Sequence, residues 1–318
     1  MADKLEHDKG FVLTWAGECA AWECDELGHL NMRHYVGKFS QARAFLFIQL
    51  GLVNAFKARA LSTVRVKDLH IKYLGEARAG QPLKIMSAIL SVSEQTIRLC
   101  HTMYHTDGKV AATQVETVEH IYLRNNKAFN WPKRLLKNAQ NVSATCPDTP
   151  PQQAKARNVD IEASHIGQSS EALEACGLAA LGAGVMTAPE MDASGMAATE
   201  AIFSRMAQTA GWFKQGWPEL YDEDYIDAQG SGAVLEVFAV FHSLPRQGGA
   251  YHYRAGIISA DNYTRTFLHN FNDAVTGECL VSCAVNACLF NLKTRKLVKL
   301  SAAQLAVLEP HIKSDLKP

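Results

Sequence analysis

The sequence contains no cluster of basic residues. Its 32 Lys and Arg are balanced by 32 Asp and Glu, which gives a formal net charge of zero. Proteins that bind nucleic acids ordinarily present a basic stripe or patch. The charge balance therefore predicts no nucleic-acid partner, and a DNA-binding regulator is disfavoured further because we find no basic helix-turn-helix segment.

Long apolar runs and paired cysteine motifs are also missing. No stretch approaches the roughly 18 apolar residues that a membrane-spanning helix needs, and the opening residues MADKLEHDKG lack the apolar segment of a signal peptide. The eight cysteines include no CxxC spacing. From these absences we expect a cytoplasmic protein with no membrane span, whose cysteines are reduced and mostly buried.

The hydrophobic content is sufficient for a large core. Apolar residues make up 47% of the 318 positions, which suits one large domain or two ordinary ones. The organisation along the chain, described below, favours two.

The most informative stretch is WECDELGHLNMRHY, residues 22–35. Asp25 precedes Gly28 by three residues, and His29, Asn31 and Tyr35 follow at helical spacing. Asn is among the best N-cap residues, so a helix is predicted to begin immediately after Asn31.

The predicted helix carries one apolar stripe and ends at Gly51. The stripe residues recur every three or four positions: Tyr35, Phe39, Ala42, Leu46 and Leu50. Part of this pattern returns later in the chain, because Asp192 and Gly195 follow Asp25 and Gly28 at one offset of 167 (192 − 25 and 195 − 28). The shared spacing indicates an internal duplication.

Strand-like segments follow both candidate helices. In the first half they cover residues 63–74, 82–92, 95–105 and 109–123, and in the second half residues 233–243, 250–259, 263–271 and 279–292. Asp107-Gly108 and Thr276-Gly277 predict tight turns between the last two strands of each half. Residues 11–24 and 180–191 supply a possible leading strand before each helix.

This order of elements predicts an α+β fold with two tandem units, each a long helix wrapped by a curved antiparallel sheet. We place the N-terminal unit at residues 1–130 and the C-terminal unit at residues 179–318. Residues 131–178 contain several prolines and polar residues, and they predict a linker or crossover with one short helix. The tail after Ser301 predicts a terminal helix.

The pattern D-x-x-G-H-x-N-x-x-x-Y resembles the signature of hotdog-fold acyl thioesterases of the 4-hydroxybenzoyl-CoA thioesterase type. The resemblance implies a double hotdog in one polypeptide, the arrangement of plant-type acyl-ACP thioesterases. It also implies hydrolysis of an acyl-CoA or acyl-ACP thioester with no cofactor and no metal, and a homo-oligomer that is a dimer of double hotdogs.

The chemistry of the motif agrees with this resemblance. Asp25 precedes a helix N-terminus, whose unpaired N–H groups favour an anion, so the amide of Met32 is a candidate oxyanion donor. Asp25 is the candidate general base or nucleophile. Asn31 caps the helix and orients water, His29 contacts the acyl group or holds Asp25, and Gly28 permits the tight turn.

Each of these residues also has a purely structural interpretation. Asn31 alone is an ordinary N-cap, and Asp25 alone is more often a turn residue. His29 alone is usually a solvated or satisfied histidine, and Tyr35 is expected in the core as a supporting residue. Their joint spacing favours a functional site.

Neighbouring residues are weaker candidates. Glu23 is expected on the surface, and Cys24 is expected to face away from Asp25 because adjacent side chains of an extended segment point to opposite faces. The spacing of Cys19, Cys24 and His29 is not that of a typical zinc site.

Basic residues after the first helix are candidates for binding the phosphates of CoA. They are Lys57, Arg59 and Arg65, with Lys67 close by. A solvated basic face is the alternative interpretation for each of them.

The second half keeps the apolar pattern but loses the polar residues. Met196, Ala198 and Ile202 stand where the first half has His29, Asn31 and Tyr35. We therefore expect one working site per chain. The resemblance implies that the C-terminal half lines the acyl pocket, and Glu200 or Arg205 could add a polar group to it.

Two other functions remain open at this stage. A hotdog enoyl-CoA hydratase or dehydratase also places an Asp and a His near the helix, although its usual motif differs in the position of the histidine. A non-catalytic acyl-CoA-binding module would bind the ligand without turnover.

Overall fold

Two units of mutually packed residues make up the chain. The computed structural model describes residues 7–8, 11–143, 151–161, 167–217, 230–294 and 296–318. Unit 1 comprises Met1–Lys155 and Met191–Ser204, and unit 2 comprises Ala156–Glu190 and Arg205–Pro318.

Unit 1 contains an antiparallel sheet in the spatial order β1-β2-β4-β5-β6-β3, with β7 paired to β6. The strands are β1 (His7–Asp8), β2 (Phe11–Glu18), β3 (Ser62–Tyr73), β4 (Pro82–Val92), β5 (Thr96–His105), β6 (Val110–Tyr122) and β7 (Lys127–Ala128). The four strand segments predicted for the first half correspond to β3–β6.

Helix α1 (Met32–Gln49) lies against this sheet. The stripe that predicted it is buried, with Phe39 and Ala42 fully inaccessible, and the Phe39 ring lies 5.9 Å from the His101 ring of β5. The helix ends as predicted, because Gly51 adopts φ 108° and its N–H donates to the Ile48 carbonyl at 3.0 Å.

The segment predicted as a linker begins with a helix. Helix α2 (Lys133–Ser143) packs on β4 and buries Leu135 and Ala139. Trp131, two residues before it, is buried and stacks on Phe47 with ring centroids 5.2 Å apart. The short helix expected later in the segment is α3 (Ser170–Ala175), while residues 144–150 and 162–166 lie outside the described part of the chain.

Unit 2 contains an antiparallel sheet in the order β9-β12-β11-β10-β8, with β13 paired to β12. The strands are β8 (Ala179–Val185), β9 (Gly230–Phe241), β10 (Ala250–Ala260), β11 (Thr264–Asp273), β12 (Cys279–Asn291) and β13 (Lys296–Leu297). Helix α4 (Thr199–Thr209) begins among the residues of unit 1 and ends in unit 2, and the terminal helix α5 spans Ala302–Leu308 as predicted.

The repeat inferred from the sequence extends through the secondary structure. The starts of α1 and α4 differ by 167 (199 − 32), those of β3 and β9 by 168 (230 − 62), and those of β6 and β12 by 169 (279 − 110). The offset grows by one residue at a time, so single insertions in loops account for the drift. The tight turns at Gly108 and Gly277 correspond as well, with φ of 82° and 75°.

Candidate functional site

The segment between Cys24 and Leu30 forms a closed loop in front of α1. These two residues pair as an isolated β-bridge, and the Asp25 N–H donates to the His29 carbonyl at 2.8 Å. The Gly28 N–H donates to the Asp25 carbonyl at 3.0 Å, and Gly28 adopts φ 78°, which favours glycine. The loop geometry therefore explains the Asp-x-x-Gly part of the motif.

The carboxylate of Asp25 belongs to the same loop. Its Oδ1 accepts hydrogen bonds from the N–H groups of Leu27 at 2.9 Å and His29 at 3.0 Å. Among the described residues none is hydrogen-bonded to Oδ2, and the side chain is half-buried. One oxygen thus stabilises the turn, as Asp side chains commonly do, and the other oxygen is available to act as a base or a nucleophile.

The N-terminus of α1 lies directly after this loop. Asn31 is the N-cap, since its side chain accepts a hydrogen bond from the Arg33 N–H at 3.1 Å. Its own N–H donates to the Glu23 carbonyl at 2.9 Å, which brings the chain back beside the start of the loop. No described residue accepts a hydrogen bond from the Met32 amide, so this first-turn N–H is open to an anion.

His29 contacts a residue that the sequence did not indicate. Its Nε2 lies 3.2 Å from Oε2 of Glu76, and its side chain is only 13% exposed. The distance is short enough for an ion pair, but the geometry of the two groups is outside the range of a hydrogen bond. The imidazole therefore reaches Glu76, and His29 holds the Asp25 carboxylate through its backbone N–H.

Tyr35 is a buried supporting residue. Its hydroxyl donates to the Gly75 carbonyl at 3.2 Å and accepts from the Ala77 N–H at 3.3 Å. Burial raises the pKa of Tyr35 above its ordinary value, so the hydroxyl stays protonated as a donor. The side chain thereby fastens the β3–β4 connection, which carries Glu76, to α1.

The prediction that Glu23 lies on the surface is wrong. Glu23 is buried, and its two carboxylate oxygens accept hydrogen bonds from the buried Lys38 ammonium at 2.8 and 2.7 Å. A short 3₁₀ turn at Ala21–Glu23 redirects the chain, so the alternation of an extended strand does not apply there. Lys38 also lies 4.9 Å from the centre of the Trp15 ring.

Cys24 faces away from the Asp25 carboxylate, as expected. Its Sγ lies 3.6 Å from Sγ of the fully buried Cys19, and both cysteines are free. Burial raises the pKa of the Cys19 thiol to about 12, so it is a poor nucleophile at neutral pH.

A buried polar network crosses the inner face of the unit 1 sheet. The Glu116 carboxylate accepts from Arg43 at 2.8 Å and from Gln114 at 2.7 Å, and it lies 3.1 Å from Nε2 of His101. His101 Nδ1 is in turn 2.6 Å from the Ser87 hydroxyl. Burial alone would raise the pKa of Glu116, but Arg43, His101 and Gln114 together hold that pKa below its ordinary range.

The basic residues proposed for CoA are not brought together as one cluster. Lys57 and Arg59 are exposed in the loop after α1. Arg65 is engaged by the Glu119 carboxylate across β3 and β6, and it also donates to the Asn126 carbonyl at 3.3 Å. Its charge is therefore already matched within the sheet.

The second loop repeats the backbone of the first without its polar groups. Asp192 N–H donates to the Met196 carbonyl at 2.8 Å, Gly195 adopts φ 78°, and Asp192 Oδ1 accepts from the Ser194 N–H at 2.8 Å. Ala198 precedes α4 and provides no side-chain cap. The motif residues His29, Asn31 and Tyr35 have no polar counterparts here.

The two residues suggested from the second half have partners elsewhere. Glu200 accepts a hydrogen bond from Ser40 of α1 at 3.2 Å. Arg205 pairs with Glu190 through two hydrogen bonds of 2.8 Å. This pair lies 167 positions after Lys38 and Glu23 (205 − 38 and 190 − 23), so the ion pair behind the loop is repeated.

Two negative findings apply to the part of the chain that the structure describes. No group of three or more His, Cys, Asp or Glu side chains is arranged to hold a metal ion. No helix there combines the length and the apolar character that crossing a bilayer requires.

Comparison with solved structures defines the class of fold. A putative oleoyl thioesterase from Lactobacillus plantarum superposes with a TM-score of 0.64 at 10% identity, over 88% of this chain and 98% of that one. The 12:0-ACP thioesterase from Umbellularia californica gives 0.60 at 8% identity, over 86% and 93%. An acyl-ACP thioesterase from Bacteroides thetaiotaomicron gives 0.59 at 12%, over 87% and 98%. The protein therefore has the hotdog-type α+β fold of acyl thioesterases, built on antiparallel sheets.

Sequence comparison finds a similar family. Residues 19–139, which include the whole motif, match the model of the thioesterase-like superfamily. This match agrees with the thioesterase resemblance drawn from the motif.

Two curated relatives each match less than half of the chain. The L-carnitine dehydrogenase/betainyl-CoA thioesterase of Agrobacterium fabrum is 27% identical over 141 residues, which are 44% of this chain and 29% of the relative. Its namesake from Rhizobium meliloti is 26% identical over 150 residues, 47% of this chain and 28% of the relative. The chain thus matches less than a third of the length of either relative.

Proposed function

We propose that this protein hydrolyses an acyl thioester of coenzyme A or of an acyl carrier protein at the loop formed by Cys24–Leu30. The proposal rests on two groups that follow each other closely in a segment similar to thioesterases. The Asp25 carboxylate has one oxygen without a partner among the described residues, and the α1 N-terminus that follows has an open amide at Met32.

Asp25 supplies the base or the nucleophile. As a base, it takes a proton from water while the water oxygen attacks the thioester carbonyl, the C–S bond breaks, and the sulfur leaves as the protonated thiol. As a nucleophile, its carboxylate displaces the thiolate to form a mixed anhydride. Water then opens the anhydride to the free acid and the Asp25 carboxylate, and the proton released from water goes to the thiolate. Both routes place negative charge on the carbonyl oxygen.

The Met32 amide is the proposed donor to that oxygen. A helix N-terminus favours an anion, and losing one oxyanion donor typically raises the barrier by about 2.7–4 kcal/mol. Asn31 supports this role, because its cap occupies the Arg33 N–H and fixes the first turn. Gly28 and Tyr35 hold the surrounding backbone. His29 belongs to the loop, and its side chain is proposed to contact the acyl group or the water.

We further propose that the chain is a double hotdog with one working site. The repeated elements and the repeated ion pairs support two repeats of common origin. The N-terminal repeat is at residues 1–130 and the C-terminal repeat at residues 179–318, and residues 131–178 connect them. The second loop retains Asp192 but lacks the histidine and the cap, so the C-terminal repeat has a scaffold role. We also propose that two such chains form a dimer in the cytoplasm. Light scattering of the full chain tests this assembly.

We propose only the class of the substrate, which is an acyl thioester of coenzyme A or of an acyl carrier protein. The two curated relatives are named for betainyl-CoA, so betainyl-CoA belongs among the first substrates to test. Lys57 and Arg59 are the proposed phosphate contacts of CoA, because they are exposed cations in the loop after α1, whereas Arg65 is already paired.

The test is release of thiol from a panel of acyl-CoA and acyl-ACP substrates, followed with a thiol reagent. We expect turnover by the wild type and a loss of roughly 10²–10⁴-fold for Asp25→Asn. Equal thiol release by both proteins would remove Asp25 from the mechanism. Loss of enoyl absorbance without thiol release would instead establish the hydratase alternative, and tight binding without turnover would establish the binding module.

A further inference from the structure

Glu76 is an acidic residue that stability alone does not explain. Its side chain is 39% exposed, and the same Oε2 that lies 3.2 Å from His29 Nε2 also lies 3.6 Å from the exposed guanidinium of Arg78. Ion pairs this open to solvent contribute about 0–1 kcal/mol. The other partner, His29, is only 13% exposed, so water screens this contact less than the contact with the exposed Arg78.

The connection that carries Glu76 is held against the motif by backbone contacts. The Leu30 N–H donates to the Ala77 carbonyl at 2.7 Å, and His29 and Arg78 form an isolated β-bridge. Tyr35 adds the hydroxyl bonds to the residues on either side of Glu76 described above. The position of the Glu76 carboxylate is therefore set by the same groups that set the catalytic loop.

The second repeat provides an internal control. The β3–β4 and β9–β10 connections correspond at an offset of 168, and both keep an Arg-x-Gly sequence, at Arg78 and Arg246. Their backbones agree, because the Gly80 N–H donates to the Cys19 carbonyl at 2.8 Å and the Gly248 N–H to the Met186 carbonyl at 2.9 Å.

The acidic side chain is lost together with the histidine. Leu244 stands in the place of Glu76 (244 − 76 = 168), and Met196 stands in the place of His29. The turn thus forms without the glutamate, and the glutamate is present where the imidazole is present. This pattern ties Glu76 to His29 and not to the shape of the connection.

We propose that Glu76 is a positioning residue that acts through His29. Its negative charge, 3.2 Å from Nε2, favours the proton on that nitrogen and keeps that side of the ring toward Glu76, which leaves Nδ1 for the thioester or the attacking water. The proposal rests on the thioesterase function above and adds a residue to it.

The test is a double-mutant cycle on the full-length protein. We expect Glu76→Gln to lower kcat about 10-fold with KM changed less than twofold, because the substrate does not touch Glu76. In a His29→Gln background the same substitution has no further effect, and Glu76→Asp recovers part of the loss. Lys109→Gln, which breaks the exposed pair with Asp107, is the matched control and leaves kcat unchanged.

A second readout does not depend on turnover. Nitrogen NMR of histidine-labelled protein reports the tautomer of His29, which we expect to carry its proton on Nε2 in the wild type and to become mixed in Glu76→Gln. An unchanged His29 signal, or additive losses of kcat in the double variant, would overturn the assignment. Absence of thiol release by the wild type would instead count against the proposed function alone, since the NMR result still decides the role of Glu76.

Discussion

The loops Cys24–Leu30 and Met191–Ala197 have the same backbone and different chemistry. Each is closed by an isolated β-bridge, and each has a glycine at φ 78° and an aspartate that accepts hydrogen bonds from its own loop. The Asp-x-x-Gly element therefore closes the loop whether or not the other motif residues are present. What distinguishes the first loop is the set of polar groups added to it.

Those added groups are lost as a set in the second loop. The imidazole, the helix cap, the tyrosine hydroxyl and the facing glutamate are replaced by Met196, Ala198, Ile202 and Leu244. An aspartate alone is thus a poor indicator of function in this fold. The useful indicator is an aspartate whose neighbours provide an open amide and a held histidine.

The largest expected difference between the units concerns the buried network of unit 1. Arg43→Met leaves the Glu116 carboxylate buried without its cationic partner, and breaking a buried pair in this way costs about 3–5 kcal/mol. Urea unfolding measures the loss. The double variant Arg43→Met/Glu116→Leu recovers part of it, and an unchanged midpoint for Arg43→Met would mean that the network contributes nothing. Unit 2 has Val285 at the position of Glu116, so this network is not repeated there.

Two buried histidines are expected to make the free energy of unfolding depend on acid pH over different ranges. Burial lowers the pKa of His269 in unit 2 to about 3 and that of His120 in unit 1 to about 4. The pKa of a histidine in the unfolded chain is near 6.5, so each buried neutral histidine contributes its full stability above roughly that pH. As the pH falls from there to the folded pKa, the free energy of unfolding decreases by up to about 1.4 kcal/mol per pH unit. His269→Gln therefore flattens the pH dependence of unfolding down to about pH 3, and His120→Gln only down to about pH 4. Identical profiles for both variants would contradict this difference.

The two loop glycines are expected to respond equally. Gly28 and Gly195 share the same positive φ, and a Cβ at either position would meet no atom within 4 Å. The cost of Ala is then only backbone strain, about 1–2 kcal/mol for each. Thermal unfolding of Gly28→Ala and Gly195→Ala measures it, and a large difference between the two would break the equivalence of the loops.

The smallest expected effect concerns the helix caps. Asn31→Ala removes the acceptor of the Arg33 N–H and costs about 1 kcal/mol, whereas Ala198→Asn gives α4 a cap that it lacks and stabilises by a similar amount. Unfolding midpoints of the two variants should move in opposite directions. Destabilisation by Ala198→Asn would show that the start of α4 does not match that of α1.

Regular periodicity explains which parts of the fold were predictable. The start of α1 after Asn31, its end at Gly51 and the strand segments all follow from local patterns of apolar residues and turns. The alternation of Leu99 and Met103 also places His101 on the inner face of β5, so that the sequence contained a signal for the buried histidine.

The errors arose where the chain leaves a regular period. Glu23 was expected on the surface, but a 3₁₀ turn directs it toward Lys38, which is itself buried on α1. Helix α2 was missed because Pro132 indicated a linker, although proline is also common at helix starts. Glu76 had no sequence signal, since its contact with His29 depends on a pairing between distant segments.

The most direct measurement compares Asp25→Asn with Asp192→Asn in the full-length protein, using thiol release from the best acyl thioester. Both aspartates have the same role in closing a loop, so loss of that role alone would affect the two variants alike. We expect Asp25→Asn to lower kcat by roughly 10²–10⁴-fold and Asp192→Asn to stay within about twofold of the wild type. Equal losses, or none, would contradict a reaction site at the first loop.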